Sequence, residues 1–109
     1  MREAELREAL RAVVERLVAC FAPDQVILFG SHARGMADDE SDLDLLVVMP
    51  VEGTRRQARL AVRAALGDVR TPLDILVYTP EEVTCLGGVA GHMLRSALRE
   101  GRVLYDRYA

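Results

Sequence analysis

The stretch VILFGSHARGMADDESDLDLLVV, residues 26–48, decides the fold of this 109-residue chain. An apolar run, Val26–Phe29, stops at Gly30-Ser31, and a polar loop leads to Asp42-Leu43-Asp44, where a second apolar run begins. Both runs have the composition of buried strands. If the two strands are antiparallel neighbours, the Gly-Ser turn lies opposite the aspartates, so the sequence predicts a site where the strand ends meet.

The spacing of the two aspartates favours a metal ion. Side chains of a strand alternate between faces, so Asp42 and Asp44 share one face while Leu43, Leu45 and Val47 point into a core. Two like charges held this close repel each other, and burying them costs more. A divalent cation between them removes both costs, and Mg²⁺ is commonly held by one or two carboxylates together with substrate phosphates.

The Gly-Ser turn is suited to a phosphate. Gly30 lets the backbone turn sharply and approach a ligand closely. Ser31 is a good N-cap, so we expect a short helix to begin here with free amide donors that attract anions. Arg34 lies one turn further on, within reach of the same phosphate, and Gly35 ends the turn. The stretch therefore predicts a site for a metal ion and a phosphate together.

These residues resemble the signature of a known superfamily. Gly30-Ser31, ten intervening residues and then Asp42-Leu43-Asp44 is similar to the pattern of the DNA polymerase beta superfamily of nucleotidyltransferases. Within it the chain resembles the minimal nucleotidyltransferase antitoxin family, and the ending Gly101–Tyr105 is a further match. The resemblance implies an α/β (α+β) nucleotidyltransferase core, a short mixed β-sheet flanked by helices, in a single domain over residues 1–109.

The resemblance also implies a third carboxylate. Asp74 lies inside the apolar run Leu73–Tyr78, and from the residues alone it is most simply a solvent-facing aspartate. The family carries a carboxylate on the strand after the crossover helix, and Asp74 matches that position. By this resemblance Asp42, Asp44 and Asp74 are the catalytic residues and hold two Mg²⁺ ions. Gly30, Ser31 and Arg34 then bind the substrate ATP.

The implied reaction is transfer of AMP from ATP to a hydroxyl of a protein partner. Minimal nucleotidyltransferases typically act as antitoxins that modify a tyrosine of a small helical HEPN-type toxin, so a homo- or hetero-oligomer is expected. One alternative is an enzyme that modifies a small molecule such as an aminoglycoside. Another is a non-catalytic antitoxin that binds its partner and acts by occlusion.

Helical and strand patterns fill the rest of the chain. Apolar residues recur at helical spacing from Glu3 to Phe21, and Pro23-Asp24 ends that helix. Strands are predicted at Gln25–Phe29, Asp42–Met49 and Leu73–Tyr78, with an edge strand at Arg102–Tyr105. Capping boxes at Thr54 and Thr79 predict two more helices. The first has Ala58, Ala61, Val62, Ala65 and Leu66 inward and Gly67 as its cap. A final helix, Gly91–Glu100, is predicted with Met93, Leu94, Ala97 and Leu98 inward.

The composition argues against several functions. Seventeen acidic residues outnumber fourteen basic ones, and aromatic residues make up only 5% with no Trp, so direct nucleic-acid binding is not expected. Every basic residue is arginine. Without lysine the chain has neither a P-loop nor a lysyl-nucleotide intermediate. The basic cluster of Arg55, Arg56, Arg59 and Arg63 is interpreted first as a solvated helix face and second as a patch for a partner or phosphate.

A cytoplasmic location without membrane contact is expected. No apolar run approaches the ~20 residues that a membrane helix needs, and the start of the chain is charged. Cys20 and Cys85 are far apart and predict free, buried thiols rather than a disulfide or metal site. His32 and His92 are assigned no role in the site.

Overall fold

The computed structural model describes residues 3–33, 35, 42–69, 71–89 and 92–109. The elements in chain order are α1 (Glu3–Phe21), β1 (Gln25–Phe29), α2 (Gly30–Ala33), β2 (Leu43–Val48), α3 (Arg55–Ala65), β3 (Leu73–Tyr78), α4 (Pro80–Leu86), α5 (Met93–Glu100) and β4 (Arg102–Asp106). Within these ranges, the helices lack the combination of length and apolar character needed to cross a membrane.

The four strands form one mixed sheet in the order β3-β2-β1-β4. β1 is antiparallel to both β2 and β4, whereas β2 and β3 are parallel and joined by the crossover helix α3. This confirms the predicted α+β fold with a short mixed sheet. β3 and β4 are therefore the edge strands, and β2 has a partner on each side.

Two apolar cores lie on opposite faces of the sheet. On one face α1 and α3 pack against alternate strand residues such as Leu28, Leu45 and Ile75. On the other face α4 and α5 cover a smaller cluster that includes Ile27 and Leu46. The alternation of strand side chains thus separates two layers of helices, and it decides which face each polar strand residue occupies.

Local sequence signals set most element boundaries. α1, β1 and β3 have the predicted bounds, and β2 is one residue shorter at each end than predicted. Both capping boxes are present: the side chains of Thr54 and Thr79 accept backbone N–H groups of Gln57 and Glu82, whose side chains accept the backbone N–H of the cap. The edge strand β4 also forms and extends to Asp106.

Several burial predictions were wrong. Met93 is 50% exposed rather than inward. Ala61 is exposed on α3. Cys20 and Cys85 are free as predicted, but both are exposed rather than buried. α5 begins at Met93 with His92 as its N-cap, while the predicted start, Gly91, lies outside the described residues. Helical periodicity identified each helix but not the depth at which each residue lies.

Candidate functional site

Asp44 and Asp74 occupy matching positions on neighbouring parallel strands. The register of β2 and β3 pairs Asp44 with Asp74 directly. Adjacent strands are about 4.8 Å apart, and side chains at paired positions project to the same face. Asp44 is half-buried and Asp74 is exposed. The sheet therefore brings two of the three predicted carboxylates together at one end, on the face covered by α4 and α5.

Gly30 lies directly against the Asp44 carboxylate. β1 pairs antiparallel with β2 so that Phe29 is opposite Asp44, and Gly30 follows at once. A Cβ atom on Gly30 would be 2.1 Å from Asp44 Oδ2, and Gly30 has a φ of +75°. Any other residue would meet both a steric overlap and a strained backbone. The Asp44 side chain can therefore occupy its observed place only because residue 30 is glycine.

Asp42 stands at the entrance to this end of the sheet. It is exposed and lies one residue before β2. The next residue, Leu43, donates its backbone N–H to Pro72 O at 3.0 Å, which fixes the start of β2 against the start of β3. The predicted carboxylates are therefore contributed by the same end of the sheet, two from strands and one from the segment just before a strand.

The donor chemistry of this end suits a hard divalent cation. Within residues 3–33, 35, 42–69, 71–89 and 92–109, no three His, Cys, Asp or Glu side chains form a group that could hold a metal ion alone. Mg²⁺ is usually held by one or two carboxylates, with water and substrate phosphates completing its shell. The register pair Asp44 and Asp74 supplies that number, and the absence of a Cβ at Gly30 makes room for the Asp44 carboxylate itself. The assignment of Asp42, Asp44 and Asp74 as metal ligands stays a prediction.

The predicted phosphate-binding turn is partly described. The predicted short helix is present as α2, but it begins at Gly30, so Ser31 lies within the helix and is not its N-cap as predicted. The Gly35 N–H donates to His32 O at 3.3 Å, with a φ of +71° at Gly35. The side chain of Ser31 and all of Arg34 lie outside the described residues, so their roles stay predictions. The backbone thus has the turn that the sequence predicted.

The opposite end of β3 is closed by internal contacts. The Arg55 guanidinium lies 4.4 Å from the centroid of the Tyr78 ring, donates to Val77 O and forms an ion pair with Glu82. Glu82 also accepts the Thr79 backbone N–H at 2.9 Å. That hydrogen bond, and secondly the Arg55 guanidinium, lower the pKa of the Glu82 carboxyl. These charges satisfy each other and belong to the structure of α3 and α4.

One contact near the site was not anticipated. Arg63 of α3 donates from Nη2 to Leu73 O at 3.2 Å, directly before Asp74. Sequence analysis placed Arg63 on a solvated helix face. The signal that could have revealed the contact is the four-residue spacing from Arg55 through Arg59 to Arg63. About 6 Å of helix rise per four residues matches two residues of a strand alongside.

Comparison with known proteins gives one family over nearly the whole chain. Residues 6–105 match the family described as "Nucleotidyltransferase domain". A candidate protein adenylyltransferase of Methanocaldococcus jannaschii is 43% identical over 42 residues, which are 38% of this chain and 42% of that protein. The match thus spans less than half the length of this relative.

Two solved structures share the fold. A candidate nucleotidyltransferase from Sulfolobus solfataricus superposes with a TM-score of 0.68 at 23% identity. The superposition covers 97% of this chain and 86% of the Sulfolobus chain. A candidate minimal nucleotidyltransferase superposes with a TM-score of 0.56 at 30% identity. This superposition covers 94% of the present chain and 95% of the minimal nucleotidyltransferase. The first of these likenesses shows the fold alone.

Proposed function

We propose, from the premise that the chain belongs to the nucleotidyltransferase domain family, that it moves AMP from ATP to a hydroxyl group of a partner protein. Family membership also confirms the resemblance to minimal nucleotidyltransferases that the sequence suggested. The proposed acceptor is a tyrosine of a HEPN-type helical toxin, which would make this chain the antitoxin of the pair.

The observation that carries the proposal is the Asp44–Asp74 register pair with Gly30 against Asp44. Two carboxylates at paired positions of neighbouring strands repel each other, which costs stability. The cost is offset when a cation and a triphosphate occupy the site. The same arrangement leaves Asp74 exposed on an edge strand, where an acceptor from another molecule can reach it.

In the proposed reaction the acceptor oxygen attacks the α-phosphorus of ATP. A new phosphorus–oxygen ester bond forms, the bond between the α-phosphorus and the bridging oxygen breaks, and pyrophosphate leaves. Asp74 takes the proton of the acceptor hydroxyl. Bound Mg²⁺, held by Asp42, Asp44 and Asp74, would supply charge neutralisation for the triphosphate. The absence of a Cβ at Gly30 lets the Asp44 carboxylate lie against the turn that would bind the phosphates. Most of the rate enhancement would come from positioning and electrostatics.

A protein acceptor is favoured by two observations. The M. jannaschii relative is named as a candidate protein adenylyltransferase. In addition, Asp42 and Asp74 are exposed, so the acceptor side of the carboxylates is open in the chain alone. Efficient transfer requires water to be excluded and the hydroxyl to be held in place, and the surface of a docked protein provides both.

The test is a transfer assay with ATP labelled at either the α- or the γ-phosphate, Mg²⁺, and the product of the gene adjacent to the one that encodes this chain. The proposal expects α-label but no γ-label on a partner tyrosine, located by mass spectrometry. Transfer should be lost in Asp44→Asn and retained in Glu52→Gln, an exposed carboxylate that follows the opposite end of β2.

Three outcomes would overturn the proposal. Label on an aminoglycoside with an unmodified partner would establish the small-molecule alternative. Tight partner binding without any label would establish a non-catalytic antitoxin that acts by occlusion. Transfer of the γ-label would show phosphorylation rather than nucleotidyl transfer.

A further inference from the structure

The exposed side of α3 carries a basic face that the proposed chemistry does not use. We define the basic face as Arg55, Arg56, Arg59, Leu60 and Arg63, which together line a shallow groove of about 440 Å³. Four of the fourteen arginines of the chain lie here, although its net charge is −3. Leu60 is 56% exposed among them. The basic face thus combines clustered positive charge with an apolar residue.

The arginines of the basic face lower the intrinsic stability of helix α3. The first turn of α3 contains no acidic residue. Arg56 places positive charge at the positive end of the helix dipole, whereas the charge of Arg55 is neutralised by Glu82 of α4. Arg55, Arg59 and Arg63 are also like charges at four-residue spacing, which costs about 0.2–0.5 kcal/mol per pair in an isolated helix. Local rules of stability are typically broken at functional sites, so an ordinary solvated face is a poor explanation.

The arginines at the two ends of the basic face are anchored. Arg55 donates to Val77 O at 3.1 Å, and Arg63 donates to Leu73 O at 3.2 Å. Both acceptors are carbonyls of the edge strand β3, so α3 is fixed alongside that edge. Between them Arg56 and Arg59 have no hydrogen bond or ion pair to any described residue. Two guanidinium groups and Leu60 therefore remain available to another molecule on a rigid base.

The basic face ends one residue from Asp74 along the backbone of β3. Arg63 contacts the carbonyl of Leu73, and Asp74 is the next residue. α3 packs on one face of the sheet, whereas Asp44 and Asp74 project to the other, so a molecule seated along α3 would have to pass around the edge strand β3 to reach them. A docked partner that passes around this edge would cover the open side of the site.

We propose that the basic face is the docking surface for an acidic helical segment of the acceptor protein, with carboxylates flanking an apolar residue. This inference rests on the transfer function proposed above. Carboxylates at helical spacing match guanidinium groups at the same spacing, and Arg is favoured in protein interfaces. An apolar partner residue would bury Leu60, which gains nothing from a phosphate backbone. The face offers no free aromatic ring for base stacking, because Tyr78 lies under Arg55.

Binding measurements on matched variants test the docking surface without relying on activity. The dissociation constant of the helical partner from the transfer assay is measured for the parent, Arg56→Glu, Arg59→Glu and Leu60→Ser. Each charge reversal should weaken binding at least about tenfold, with a steep dependence on salt. Arg99→Glu, an exposed arginine on α5, is the matched control and should bind like the parent. Melting curves verify that every variant is folded.

Each outcome has a defined meaning. Equal affinity of the parent and both charge-reversal variants, or no partner binding by the parent, would overturn the docking surface. Binding of a single-stranded RNA oligonucleotide that is lost in Arg59→Glu, with partner affinity unchanged, would overturn it in favour of RNA. If the parent binds the partner but transfers no AMP, the transfer function fails, and the dissociation constants still decide the docking surface.

Discussion

The two ends of β3 carry their charges in opposite ways. At its far end Glu82 is held by Arg55 and by the Thr79 backbone, and the Arg55 guanidinium lies over Tyr78. At its near end Asp74 is exposed, and no hydrogen bond or ion pair joins its side chain to the described parts of the chain. β3 has only six residues, so charged groups are neutralised by the chain at one of its ends and left exposed a short distance away at the other.

The contrast separates structural carboxylates from chemical ones. A carboxylate whose charge is neutralised by the chain itself adds modest stability and has nothing left to bind a ligand. Asp74 has no such partner among the described residues, and Asp44, which pairs with it in register, adds repulsion rather than stability to it because like charges repel. They are suited instead to a cation that arrives with the substrate. The following changes test this contrast, beginning with the largest expected effect.

Replacing Asp44 by Asn should lower AMP transfer at least about a hundredfold, an effect typical of removing a transition-state-stabilising group. Asp42→Asn should have the same effect. Both variants should fold normally, and without metal should melt at the same or a slightly higher temperature, because carboxylate repulsion is reduced. Transfer assays and melting curves check this. Full activity in a well-folded Asp44→Asn protein would refute the metal site.

Replacing Asp74 by Asn should reduce the rate of transfer far more than the affinity for ATP. Asp74 acts on the acceptor side, and loss of a positioned proton acceptor typically costs about 10²–10⁴-fold in rate. Calorimetric titration with ATP and single-turnover kinetics measure the two effects separately. If ATP binding collapses while the residual complex reacts at the parent rate, Asp74 serves the nucleotide and not the acceptor.

Gly30→Ala should weaken ATP binding because the added Cβ displaces the Asp44 carboxylate. Gly35→Ala provides a matched control: its φ of +71° imposes similar backbone strain, but no atom of the described residues lies within 4 Å of the added Cβ. Left-handed strain costs roughly 1–2 kcal/mol in either variant. Chemical denaturation should therefore show similar losses of stability, while only Gly30→Ala loses ATP affinity. Equal ATP affinity in the two variants would show that the phosphates bind elsewhere.

Glu82→Gln should change stability slightly and transfer not at all. The fold lowers the pKa of the Glu82 carboxyl below its ordinary value of 4.5. The ionised carboxylate therefore stabilises the protein fully at pH values above 4.5, and this stabilisation is lost as the pH falls through the lowered pKa. At neutral pH the loss should be below about 1 kcal/mol, as for a surface ion pair. Melting temperatures of parent and variant should converge in acid, with the neighbouring Glu81→Gln as control. A difference that persists in acid would exclude the ion pair as its source.

Much of the fold could be predicted because its signals are local. Apolar runs bounded by Pro or Gly define β1 and β3, and the threonine caps define the starts of α3 and α4. Burial was less predictable, because Met93 and Ala61 satisfy helical periodicity and are nevertheless exposed. Their exposure depends on how far neighbouring helices extend, which periodicity does not encode.

In the candidate site, too, local features could be predicted from the sequence and features set by tertiary packing could not. Strand alternation placed Asp42 and Asp44 on one face, but the pairing of Asp44 with Asp74 depends on the register of two strands separated by a helix. No local pattern determines that register. The contact between Gly30 and Asp44 depends likewise on tertiary packing, although the need for glycine in the turn was predictable. The family resemblance supplied Asp74, which its own surroundings in the sequence did not.

The central position of β2 also bears on motion in the site. β2 is hydrogen-bonded on both sides, and most of its residues are buried. Its amides donate alternately to β1 and to β3 and lie mostly among buried residues, so they should be among the slower ones to exchange in the molecule. Asp44 is therefore fixed to one of the two central strands, whereas Asp74 belongs to an edge strand. The nucleotide would meet a carboxylate that does not move, and the acceptor would meet one that can adjust as it arrives.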